Sequence, residues 1–157
     1  MVLSSGRMTR PSVSDRSDWL PVGNTTNTEY RAKKGAPDIL IVLPEAGLRD
    51  DAASARMNMT FQTEYSERLG RPCAVVVLLG SLTSQDSEAR RIYATGMQPA
   101  RFFAASLVVT NPLSRAIGSF FLGLSRPAVP TKMFPDFDKA IAWAETQRPQ
   151  PADTVQA

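Results

Sequence analysis

Apolar residues fall in short runs between polar turns along most of the chain, and their spacing predicts alternating strands and helices. Residues 28–33 form a short strand, and Lys34-Gly35-Ala36-Pro37 turns the chain into a second strand over 38–43. The close spacing makes this pair a hairpin. A helix opens at Asp50-Asp51 and runs to Leu69, because Ala53, Met57, Phe61, Tyr65 and Leu69 recur four apart as one inward ridge. Gly70 and Pro72 close it. Residues 74–79 are apolar without alternation, the pattern of a central strand covered on both faces. A polar loop from Gly80 to Asp86 leads into a helix ending near Thr95. The fourth strand spans 106–109, with Phe102 and Phe103 packed nearby. Asn111-Pro112 caps a helix whose apolar face is Leu113, Ile117, Phe120, Phe121 and Leu124. A fifth strand covers 129–134, and Phe137, Ile141 and Ala144 face inward from a last helix, with Ala140 and Trp143 alongside. The order β-β-α-β-α-β-α-β-α predicts an α/β fold: a mostly parallel, mixed sheet of about five strands flanked by four helices.

This pattern sets domain limits at 28 and 147. Residues 1–27 are rich in Ser, Thr, Arg, Gly and Pro and read as a flexible N-terminal tail, with Trp19-Leu20 as an apolar island that could dock on the domain or a partner. Residues 148–157 read as a flexible C-terminal tail, since Pro149 and Pro151 block helix continuation.

Composition narrows the function classes. With 157 residues, 43% apolar and 21% charged, the chain suits one globular domain. Its net charge of +3 is modest, and no run of five basic residues suggests nucleic acid. No stretch nears the roughly 18 apolar residues of a membrane span, and the first residues lack a secretory core. Peripheral contact with a membrane stays open. With one cysteine, Cys73, an internal disulfide is excluded. A cytoplasmic protein is the expectation.

The chain has no histidine, which removes Ser-His and Cys-His nucleophile pairs and histidine metal ligands together. No G-x-S-x-G, Walker or G-x-G-x-x-G motif is present. We therefore expect no enzyme, no metal and no cofactor. Glu45, Asp50 and Asp51 could offer oxygens to Mg²⁺, but acidic residues ordinarily open a helix, and we read them so. Cys73 precedes a buried strand and reads as a packed thiol. Two segments hold more interest. The loop Ser81-Leu-Thr-Ser-Gln-Asp-Ser87 follows the central strand, at the carboxyl edge where α/β sheets bind ligands and partners. Gly118 and Gly123 interrupt the helix that follows Pro112, where glycine weakens a helix unless something packs closely.

The element order, and above all Asn111-Pro-Leu-Ser-Arg-Ala-Ile-Gly-Ser-Phe-Phe-Leu-Gly-Leu-Ser-Arg-Pro127, Pro130-Thr-Lys-Met-Phe134 and Ala140-Ile-Ala-Trp143, resemble the STAS-like domains, relatives of bacterial anti-sigma-factor antagonists. The resemblance covers residues 30–145 and is closest to a little-characterised bacterial subgroup. It implies a regulatory protein–protein interaction module without catalysis. Antagonists of that family carry Asp-Ser-Ser-Gly, whose second serine is phosphorylated. Here the stretch reads Asp86-Ser87-Glu88-Ala89, so Glu88 replaces the phosphoacceptor, and Ser84 or Ser87 is what a kinase would find. The expected partner surface joins Ser81, Thr83, Ser84, Asp86, Ser87 and Glu88 to Arg115, Phe120 and Phe121 of the following helix, for a protein partner or a second copy of the chain. The alternative is a binder of a small apolar or lipid-like ligand in a pocket lined by Phe102, Phe103, Phe120 and Phe121.

Overall fold

A computed structural model describes residues 16–150. The main sheet has six strands: β1 (Trp19–Asn24), β2 (Thr28–Lys33), β3 (Ala36–Pro44), β5 (Cys73–Leu78), β7 (Phe102–Val108) and β8 (Thr131–Phe134). They lie side by side in that order; β1, β2 and β3 are antiparallel neighbours, and the β3–β5, β5–β7 and β7–β8 pairs are parallel. The chain is thus an α/β protein with a mostly parallel sheet and four helices: α1 (Ala52–Leu69), α2 (Ser87–Gly96), α3 (Pro112–Phe120) and α4 (Phe137–Thr146). Among the described residues no helix is long and apolar enough to cross a membrane.

Side chains alternate across the strands, so the sheet has two buried faces. On one, Ile39, Ile41, Val76 and Phe103 pack with Trp19 under Ala140, Ile141 and Ala144 of α4. On the other, Leu40, Val42, Val75 and Phe102 meet Met59 and Tyr65 of α1 and the flank of α2. The hairpin between β2 and β3 closes through Lys34 and Gly35, and Gly35 takes the positive φ of 82° that a tight turn needs.

The structure departs from the sequence expectations in four places. First, Trp19–Asn24 is a strand of the sheet rather than tail: Leu20 pairs with Ala32, and Trp19, 3% exposed, packs edge-on against Phe137 at 4.8 Å. The strand carries Pro21 and Gly23 and an irregular register, so no alternation marks it. Its support is tertiary. Arg148 likewise is no tail residue, because its guanidinium donates twice to buried Asp38 (2.8 and 2.9 Å). The tails expected over residues 1–15 and 151–157 lie outside the described residues.

Second, α1 is rotated from the expected ridge. Its buried side chains are Ser54, Asn58, Gln62 and Ser66, spaced four apart, with Ala55, Met59 and Tyr65; Ala53 is exposed and Met57 and Phe61 are half-buried. The polar ridge is tolerated because it is hydrogen-bonded. Tyr30 Oη donates to Asn58 Oδ1 (2.8 Å), Gln62 Nε2 donates to Tyr30 Oη (3.1 Å) and Asn58 Nδ2 donates to Asn27 Oδ1 (3.0 Å). Third, the expected polar loop after β5 folds into a 3₁₀ turn, Leu79–Ser81, and a strand β6 (Leu82–Gln85). This pairs in parallel with β4 (Leu48–Asp50) as a second, two-stranded sheet. Fourth, β7 begins at Phe102, which places Phe102 and Phe103 on the strand itself, and β8 begins at Thr131 rather than 129.

Candidate functional site

The small β4–β6 sheet and α3 form the carboxyl edge of the molecule. Asp86 follows β6 and caps α2, its carboxylate accepting the Ala89 N–H at 2.8 Å. Asn111 caps α3 reciprocally with Ser114. The Asn111 side chain also donates to the Gly80 carbonyl (3.3 Å), tying the start of α3 to the 3₁₀ turn. Gly80 permits that approach, since a Cβ there would collide with Thr110 Oγ1. From the other side the Gly47 N–H donates to Ser81 O (2.8 Å), and Thr83 Oγ1 donates to Gly47 O (3.0 Å). These bonds close an open groove of about 580 Å³ with Ala46, Gly47, Ser81 and Thr83 on one side and Asn111 and Leu113 on the other.

Beyond the groove runs an apolar stripe. Leu113 (48% exposed), Phe120 (55%) and Leu124 (68%) recur at helical spacing on α3 and on the π turn that continues it, Phe121–Ser125. Arg90 bridges the segments: its Nη1 donates to Gln85 O (2.9 Å), and its guanidinium lies 5.8 Å from the Phe120 ring. The two segments expected from the sequence to act together are therefore neighbours.

Within them, Thr83, Ser84, Asp86 and Ser87 are exposed, Ser81 is half-buried and Arg115 is exposed on α3. Glu88 pairs with Arg91 one turn on, and that hydrogen bond holds its carboxyl below the usual range. Phe121 does not belong to the surface. It is buried in a third apolar cluster with Leu48, Leu79, Leu82 and Ile117, at the start of the π turn that continues α3.

The four phenylalanines expected around a ligand do not converge. Phe102 and Phe103 lie on opposite faces of the sheet, Phe120 is exposed and Phe121 packs into the third cluster. A smaller cavity lies beneath the β4–β6 sheet. It measures about 70 Å³, well short of the roughly 300 Å³ at which drug-sized ligands fit. Val75, Val77 and Leu107 of the main sheet wall it, and Asp50, Gln85 and Tyr93 form its polar end.

Asp50 is the residue the sequence misplaced. It ends β4 at 4% exposure, while Asp51 alone caps α1 by accepting the Ser54 N–H (2.9 Å). Gln85 Nε2 donates to Asp50 Oδ2 (3.0 Å), and Tyr93 Oη donates to Oδ1 (3.2 Å). Burial pushes the carboxyl above its ordinary value, against the pull of these bonds, and burial with the nearby carboxyl pushes the Tyr93 phenol up too. Glu45 is exposed, and among the described residues no three metal-ligating side chains gather. Cys73 is fully buried, and burial raises its thiol to about 12.

The family model described as a domain of unknown function, DUF7793, matches residues 38–148, and the chain belongs to that family. The match runs from β3 through α4 and leaves out β1 and β2. No curated protein matches the chain.

Proposed function

We propose that this DUF7793 member is a non-enzymatic, STAS-like regulatory module that binds a protein partner, or a second copy of itself, through the groove and the Leu113–Phe120–Leu124 stripe. The observation that carries the reading is the stripe. Three large apolar side chains stand about half or more exposed at helical spacing, beside a groove bordered by hydrogen-bonded backbone. Contiguous exposed apolar surface rimmed by polar groups is the usual mark of a protein contact. The absence of histidine from the sequence and a buried, raised Cys73 thiol support a role without turnover. We place the protein in the cytoplasm, where a lone buried thiol stays reduced.

Phe120→Glu with Leu124→Glu tests the surface, because both side chains are exposed and the fold does not need them. Phe121→Glu would instead bury a charge in the core. Wild-type and double-variant proteins are compared for self-association by analytical ultracentrifugation and for partners retained from the native cell. The wild type should hold a partner or dimerise, and the variant should do neither. A variant that is equally folded and keeps the same associations overturns the assignment.

A further inference from the structure

The cavity under the β4–β6 sheet holds two acceptors without the partners their burial demands. Asp50 is met by neutral donors alone, Gln85 Nε2, Tyr93 Oη and the Ser54 hydroxyl, and no ion pair among the described residues includes it. Gln85 turns its Nε2 to the carboxylate, and its Oε1 is buried with no hydrogen-bond partner among the described residues. A buried carboxylate without a counter-charge and an orphaned amide oxygen are each unfavourable, and here both line one cavity. The rest of the lining is mostly apolar, with Val75, Val77, Leu107 and Phe121 among it, and Thr28, Asn58 and Gln62 add polar groups.

We propose that this cavity is a binding site for a small primary alkylammonium ion of one or two carbons. An –NH₃⁺ group has three donors, a positive charge and no acceptor. Between Asp50 and Gln85 Oε1 it supplies the missing counter-charge and the missing donor together, and a methyl or ethyl group meets the apolar wall. The volume, about 70 Å³, is the liquid share of roughly two waters, so the guest has two or three heavy atoms. A metal ion fits the donor set less well. Ca²⁺ and Mg²⁺ want six or more oxygens, and the nearby Asn58 Oδ1 already accepts from Tyr30 (2.8 Å) and Thr25 (3.0 Å). At two or three heavy atoms the dissociation constant reaches about 1 mM at best.

The titratable groups facing Asp50 are Tyr93 from α2 and Tyr30 from β2, with Asp51 next along the chain. Both phenols stay protonated near neutrality. The guest favours the ionised Asp50 carboxyl, so binding tightens as pH rises through that group's titration and releases its proton.

The test is an NMR titration of the full chain with methylammonium chloride, with sodium chloride and tetramethylammonium chloride at equal ionic strength as controls. Saturable shifts are expected at the Gln85 side-chain amide and at Tyr93 with methylammonium alone, tightening as pH rises through the Asp50 titration. Asp50→Asn should weaken binding at least about tenfold, and Gln85→Met several-fold. Shifts no different from the sodium control, meaning the cavity holds water only, overturn the proposal. So does unchanged affinity in Asp50→Asn. Should that variant fail to fold, Gln85→Met decides: an affinity equal to the wild type's overturns the site.

Discussion

Asp50 stands between Gln85 and Tyr93 where a neutral amide could keep a hydrogen bond to each. In Asp50→Asn the Oδ1 still accepts from Tyr93, and the new Nδ2 can donate to Gln85 Oε1 once that amide turns over. The substitution should therefore stabilise the fold by about 1 kcal/mol near neutrality by removing a buried charge. The sign of the pH dependence follows from the raised carboxyl: the folded state holds this proton more tightly than the unfolded chain does. Its contribution is complete below the ordinary carboxylate value of about 3.9 and is lost as pH rises through the elevated one. The gap between variant and wild type should thus be small near pH 4 and widen toward pH 8, as urea unfolding at a series of pH values would show. A constant gap would mean that Asp50 is ionised throughout. Cys73 gives a second check at this scale. With its thiol raised to about 12, it should react with Ellman's reagent at pH 8 at least about a hundredfold more slowly in the native than in the unfolded protein. The packed thiol was legible from the apolar run that follows Cys73. The buried carboxyl was not, because Asp50 and Asp51 look alike in sequence and only the packing of β4 separates them.

At the scale of elements, α1 shows how far periodicity can be followed. The apolar residues four apart and the polar residues four apart are neighbouring rows of one helix, and apolarity alone favours the first. The structure buries the second, because Tyr30 and Asn27 from the first hairpin hand it partners. Asn58→Ala should therefore cost about 2 kcal/mol, removing the acceptor of the buried Tyr30 hydroxyl and one donor to Asn27, while Met57→Ala on the expected ridge costs less than about 1 kcal/mol. Urea midpoints of the two variants decide, and equal losses would restore the apolar ridge. Helix α3 was more readable, since its cap, Asn111-Pro112, is a local device written in adjacent residues. The β4–β6 sheet was not, for strands of three and four residues are stabilised by each other across more than thirty positions of chain.

At the scale of the whole molecule, β1 decides where the domain begins. Trp19 is buried against Phe137 of α4, so Trp19→Ala should cost about 3 kcal/mol and lower the thermal midpoint by roughly ten degrees or more. A midpoint within about two degrees of wild type would return residues 16–24 to the status of a tail. The candidate surface belongs to this scale too: Ser81–Ser87 and α3 were each visible in the chain, but their adjacency rests on the parallel order β5–β7–β8. The sequence by itself determined the fold class, most elements and the inventory of chemistry, because hydrophobic period, turn residues and caps act over a few residues. Only the tertiary structure decided that Trp19–Asn24 joins the sheet, that α1 turns its polar row inward and that Asp50 closes a cavity. Each of those depends on a partner distant in the chain, and burial is a property of the pair.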